Sequence, residues 1–262
     1  MFATLASRAI PALLATLLVL VLSACVTTQK GGFEKPKTPD EAIATRVAAA
    51  KQYLRNRDFE SARRHLKSAM KLDPNSAEVH DALGLTFQYS GEKELAEKHF
   101  KRAVSLGSGV SRYRINYASY LFRESRFDDA ERQLQKIVDD SLYEKREAAL
   151  VMLGLSQLQL LQIDEAQRSF ERALVLNPRN PRVLKELSIL HYEAKRFEVS
   201  WRYFQAYRKV VAKLDAEFLL LGIELARELQ DADSEASFAL ALKNLYPDSR
   251  EYQSYLRRKQ YQ

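Results

Sequence analysis

The chain has 262 residues, an apolar share of 46% and a formal charge of +7, enough length for a sizeable core at an ordinary composition. Its 8 glycines and 7 prolines are too few for the closely spaced turns of an all-β chain, which leaves an all-helical reading. A single cysteine, Cys25, excludes internal disulfides and cysteine metal clusters. The basic residues alternate with acids, as in Glu60-Ser61-Ala62-Arg63-Arg64 and Glu92-Lys93-Glu94, the pattern of solvated helix faces rather than of a nucleic-acid patch.

At the amino terminus, Ala9 to Leu22 (AIPALLATLLVLVL) is an uncharged run of 14 residues behind Arg8. A membrane-spanning helix needs about 20 apolar residues, so the run reads as the apolar part of an export signal covering residues 1–24. Leu22-Ser23-Ala24-Cys25 follows and resembles the bacterial lipobox. That resemblance implies a diacylglyceryl group on the Cys25 thiol, cleavage before Cys25 and acylation of the new amino terminus. Two or more acyl chains hold a protein stably to a membrane. Val26 stands where an aspartate would signal inner-membrane retention, which favours the outer membrane. Residues 25–40 have the composition of a linker, leaving 41–262 as the folded part.

A repeat organises that part. Ala62, Leu66 and Ala69 recur 34 residues on as Ala96, Phe100 and Ala103, then as Ala130, Leu134 and Ile137. After a two-residue insertion near Asp139 to Leu142 they return as Ala166, Phe170 and Ala173, and finally as Ser200, Phe204 and Tyr207. This is the period of the tetratricopeptide (TPR) helix pair, so the predicted fold is an all-α superhelical solenoid of about six pairs. First helices supply Ala49-Ala50, Leu83-Gly84, Tyr117-Ala118, Leu153-Gly154 and Leu187-Ser188, whose small second member lets helices approach. Pro74 and Pro178 stop second helices. Five repeats are expected near 43–76, 77–110, 111–144, 147–180 and 181–214. A sixth, 217–250, carries Ala236 and Leu240 but has Glu224 and Lys243 where small residues belong, and Arg250 to Gln262 reads as a capping helix.

No catalytic constellation is legible. Gly107-Ser108-Gly109 falls in an inter-repeat turn and matches neither a phosphate loop nor a nucleophile elbow. His65 and His99 hold the same place in successive repeats, and His80 and His191 have no His or Cys neighbour at ligand spacing. Trp201 reads as core. The expectation is therefore a protein-binding chain, not an enzyme, with no metal, no cofactor beyond the lipid on Cys25, no nucleic acid and no small-molecule substrate.

In such a solenoid the first helices line the inner surface. The inferred register turns inward Val47, Lys51, Leu54 and Arg55, then Asp81, Leu85, Gln88 and Tyr89. It continues with Ile115, Ser119, Phe122 and Arg123, and with Val151, Leu155 and Leu158. Apolar stripes at helical spacing are usually core, and about half of these positions are weighed as buried. Leu54, Arg55, Leu85, Tyr89, Phe122 and Arg123 are the predicted groove for an amphipathic or extended partner segment.

Three stretches go beyond generic repeat residues: Ile115-Asn116-Tyr117-Ala118-Ser119-Tyr120-Leu121, Leu219-Leu220-Leu221-Gly222-Ile223-Glu224-Leu225-Ala226-Arg227 and Leu245-Tyr246-Pro247-Asp248-Ser249-Arg250-Glu251-Tyr252. With the lipobox-like tetrapeptide they resemble the type IV pilus biogenesis lipoproteins called PilF or PilW, the pilotins of the pilus secretin. Departures from the family pattern are Ile115 for an asparagine, Phe122 for a cysteine, and Glu124-Ser125-Arg126 and Ala194-Lys195-Arg196 for glycine-containing turns. The resemblance implies a lipid-anchored outer-membrane protein facing the periplasm, whose partner is the secretin and whose task is its localisation and multimerisation. A TPR lipoprotein that scaffolds peptidoglycan or outer-membrane assembly factors shares the generic features but not these stretches.

Overall fold

The computed structural model describes residues 38–260, and the chain divides into two units, Met1–Ala42 and Ile43–Gln262. The expected signal, Cys25 and all but the last residues of the linker lie outside the described residues. The linker was expected to run to Asp40, yet helix α1 (Pro39–Arg55) begins before it. Thr38 and Glu41 form a capping box, the threonine hydroxyl accepting from the Glu41 N–H and the glutamate from the Thr38 N–H. Proline at the first helical position suits that start.

Twelve more helices follow, and the described residues contain no strand. They pair as α1 with α2 (Phe59–Met70), α3 (Ala77–Ser90) with α4 (Lys93–Leu106), and α5 (Ser111–Arg123) with α6 (Phe127–Val138). Next come α7 (Arg146–Gln159) with α8 (Ile163–Leu176), α9 (Pro181–Glu193) with α10 (Phe197–Arg208) and α11 (Ala216–Glu228) with α12 (Ala232–Leu245), before the single α13 (Arg250–Gln260). The unit Ile43–Gln262 is thus a superhelical TPR solenoid of six pairs and a terminal helix. In repeats two, three and four the successive first helices approach more closely than the second helices do, which places them on the inner side.

Small residues set how closely each pair packs. A Cβ added to Gly84 would lie 2.7 Å from the Phe100 ring, and one on Gly154 would lie 2.6 Å from Phe170. In the fifth pair Ser188 and Ser200 take that place and satisfy each other, the Ser200 hydroxyl donating to the Ser188 carbonyl at 2.6 Å.

The sixth pair corrects the sequence reading. Its register keeps the 34-residue step, so Leu221-Gly222 follows Leu187-Ser188, and Phe238 follows Phe204. Gly222 is the small residue, its missing Cβ 2.7 Å from Phe204. Phe238 and Leu242 are buried, whereas Leu240, expected inside, is 59% exposed. The capping helix α13 lays Tyr252 and Tyr255 against this last core.

Between the two helices of each repeat one residue takes a left-handed conformation. These are Arg57, Gly91, Ser125, Leu161, Lys195 and Gln230, and only the second is glycine.

Candidate functional site

Leu54 and Arg55 stand in the last turn of α1, and Leu85 and Tyr89, one turn apart on α3, project from one helix face. With Lys51, Arg57 and Phe59 they line a cleft of about 540 Å³. Leu54, Phe59 and Leu85 are half-buried, while Arg55, Arg57 and Tyr89 are exposed. An apolar base with a cationic edge accommodates an apolar side chain flanked by acids. The Arg123 guanidinium lies 5.5 Å from the centre of the Tyr89 ring, a cation–π contact that carries the cationic edge on to the third repeat.

Five of the six predicted groove residues therefore meet. Phe122 does not join them: it holds in repeat three the place of Leu54 in repeat one, and its half-buried ring packs edge-on against Phe127 at 5.2 Å. Arg57 and Phe59 line the cleft without having been predicted. The signal was the turn Asn56-Arg57-Asp58, where the Asp58 carboxylate accepts from the Ser61 N–H and starts α2, placing Phe59 at the mouth.

Two other inward positions are core. Val47 is 1% exposed and Asp81 is 2% exposed. The Asn116 amide donates to both carboxylate oxygens of Asp81, at 2.9 and 3.0 Å. Burial pushes the Asp81 carboxyl up to about 6, against the pull of Asn116, Arg112 and Lys51. Nearby, Glu97 accepts from the Tyr117 hydroxyl at 3.1 Å and from Arg126 at 2.8 Å. Burial opposes its charge, but hydrogen bonds from Lys101, Arg126 and Tyr117 outweigh that and hold it at about 2. The Tyr120 hydroxyl donates to the Lys93 carbonyl at 3.0 Å. The asparagine-tyrosine helix singled out in the sequence is thus a seam that ties repeat three back to repeat two beside the cleft.

The histidines are partly regrouped. His80, read as lacking a partner at ligand spacing, sits with its Nδ1 2.9 Å from Nδ1 of His99. Its Nε2 donates to the Pro74 carbonyl at 3.1 Å. Burial, then the charges of His80 and Lys98, lowers the pKa of His99 to about 4, and burial lowers that of His80 as well. His65 stacks on Tyr53 at 5.3 Å, and buried His191 stacks on Tyr203 at 5.4 Å. Among the described residues no three His, Cys, Asp or Glu side chains converge as a metal site. Trp201 stacks on Phe204 at 5.3 Å, as core.

The tetratricopeptide-repeat family model matches residues 81–144 and 151–209. Over 245 residues, 93% of this chain and 97% of the relative, the sequence is 34% identical to the type IV pilus assembly protein PilF of Pseudomonas aeruginosa. A solved structure of Pseudomonas aeruginosa PilF superimposes with a TM-score of 0.75 at 33% identity, covering 84% of this chain and 99% of the other. The crystal structure of PilW, a widely conserved type IV pilus biogenesis factor, gives 0.67 at 25% identity, covering 82% and 98%. With 34% identity over nearly the whole length of PilF and a shared fold, this chain belongs to the PilF and PilW family of TPR proteins of type IV pilus biogenesis.

Proposed function

We propose that this chain is a pilotin: a lipid-anchored scaffold, not an enzyme, that faces the periplasm from the outer membrane. There it binds unassembled subunits of the pilus secretin and promotes their multimerisation into the pilus-exit ring. The observation that carries the reading is kinship with PilF over 93% of the chain. The export-signal run and Leu22-Ser23-Ala24-Cys25 support the anchor on Cys25.

The mechanism follows from three parts. Lipid on Cys25 restricts the scaffold to one membrane, where two or more acyl chains hold it. The cleft of Leu54, Phe59, Leu85 and Tyr89 takes an apolar stretch of the partner, and Arg55, Arg57 and Arg123 attract its acidic flanks. Captured subunits then meet at a raised local concentration, which favours ring closure.

The test is the state of the secretin in cells deleted for this gene, read by membrane fractionation and a gel that preserves heat-stable multimers. Multimers should vanish or shift to the inner membrane, and should return with wild-type protein but not with Cys25→Ala. Normal assembly in the deleted cells would refute the pilotin role.

A further inference from the structure

The second helices carry a charge ladder. Arg64, Lys98, Arg132, Arg168 and Arg202 occupy one register position on α2, α4, α6, α8 and α10. Glu60, Glu94, Asp128, Asp164 and Glu198 stand one turn earlier in the same five helices, within the first turn. In sequence the two signs alternate. In the fold these helices run the same way, so the acids gather along the edge formed by their N-terminal ends, where the helix dipole favours them.

Past that first turn, every exposed charged side chain of the five helices is a cation. The acids that occur there are turned aside and half-buried: Glu97 on Tyr117 and Arg126, Glu131 accepting from Gln157, and Glu171 accepting from Gln167. Arg132 and Arg168 pair within their own helices with Asp129 and Glu165. Lys98, Lys136 and Arg202 have no ion pair among the described residues. In the last turns of these helices and in the turns that follow them, large apolar side chains are bare: Val175 is 82% exposed beside Leu176 at the end of α8, Leu72 follows α2, and Leu142, 91% exposed, lies in the turn after α6. The ladder stops at α12, which has Ala236 in its place.

We propose that the second-helix face of repeats one to five rests on anionic phospholipid headgroups. The cations are spread over five helices on long stems, Lys98, Lys101 and Arg102 bordering one open cleft and Arg202 another; no single cleft gathers them, which suits charges that can diffuse laterally to meet them. The bare leucines and valine fit the apolar boundary beneath the headgroups, a combination that neither a nucleic acid nor a solvated face uses. On this arrangement the first-helix surface, with its cleft, stays turned away from the lipid.

The test uses the chain from Val26 onward, which keeps every described helix and lacks both signal and acyl chains, so its outcome is independent of Cys25 and of the secretin. Co-sedimentation is measured with phosphatidylcholine vesicles with and without phosphatidylglycerol. Each cation near an anionic surface contributes about fivefold in partitioning. Binding should therefore require phosphatidylglycerol, fall with added salt, and drop at least tenfold, by that same estimate, in Lys98→Glu/Lys136→Glu/Arg202→Glu. The neutral Lys98→Gln/Lys136→Gln/Arg202→Gln variant should show a smaller loss, and circular dichroism should report the same helicity for all. Lys243→Glu/Arg250→Glu/Lys259→Glu, with the same change in net charge on the sixth repeat and cap, should bind like wild type. Equal binding to neutral vesicles, or equal loss in the two Glu triples, would overturn the proposal. So would binding to soluble poly-glutamate without preference for anionic vesicles, which would assign the face to an acidic protein.

Discussion

Repeats two and three add buried polar contacts to the Phe100, Tyr117 and Tyr120 rings where they meet, whereas the interior of the meeting of repeats five and six is made of rings. At the first seam Asp81 is held by Asn116, and Glu97 by Tyr117 and Arg126. At the second, Phe204 stacks on Trp201 at 5.3 Å and on Phe218 at 4.9 Å, while Phe238 meets it edge-on at 5.3 Å. Aromatic burial is strong and indifferent to pH. A hydrogen-bonded seam is directional, costs much when one partner is lost, and answers to protonation. The cleft borders the polar seam, so the orientation of its walls depends on a few defined hydrogen bonds, while the far end supplies bulk stability.

The contrast breaks most visibly at Phe204. Phe204→Ala should lower unfolding free energy by about 4 kcal/mol, measured by urea denaturation, because it removes the fully buried ring on which three others pack. A loss near 1 kcal/mol would mean that the aromatic seam is not the stable end. Overpacking a helix crossing should cost somewhat less: Gly154→Val, forced against Phe170, is expected to lose about 3 kcal/mol.

Titration reads the polar seam through two carboxyls of opposite sign. Asp81 is at about 6 in the fold against its ordinary 3.8, so the folded chain binds this proton more tightly than the unfolded one. Its contribution is greatest below about pH 4 and is lost as pH rises through 6. Asp81→Asn keeps an acceptor for Asn116, removes that slope, and should stabilise the chain at pH 7 by about 2 kcal/mol. Glu97 has the opposite sign, since its carboxyl is held at about 2 against 4.5. Glu97→Gln should destabilise at neutral pH and abolish the loss of stability seen as pH falls from about 4.5 toward 2. Thermal melts of both variants from pH 3 to 8 read the two slopes directly, and parallel curves would show that neither carboxylate carries the seam. The smallest effect lies in the turns: Lys195→Gly, at a φ of 56°, should raise stability by about 1 kcal/mol by relieving left-handed strain.

The solenoid was legible because its signals are local and repeated. A 34-residue step in small and large apolar residues names the helix, its buried face and its neighbour at once. Where a repeat drifts the reading failed, as in pair six, where Ala236 and Leu240 look regular while the helix buries Phe238 and Leu242. The cleft was partly legible, because helical spacing puts Lys51 with Leu54 and Arg55, and Leu85 with Tyr89. Spacing within one helix could not reveal that Phe122 meets Phe127 instead, nor that His80 reaches His99 across 19 positions. The charge ladder was hidden for a related reason: alternation along the chain conceals segregation across parallel helices.

The most direct measurement of the central claim is complementation of the deletion strain with Leu54→Asp/Tyr89→Ala, two half-buried or exposed cleft residues outside the cores. Secretin multimers are scored alongside the amount and membrane fraction of the variant itself. The prediction is that the variant accumulates in the outer membrane at wild-type level while heat-stable secretin multimers are lost. Multimers at wild-type level with that variant present would contradict the claim that the cleft of repeats one and two grips the pilus partner.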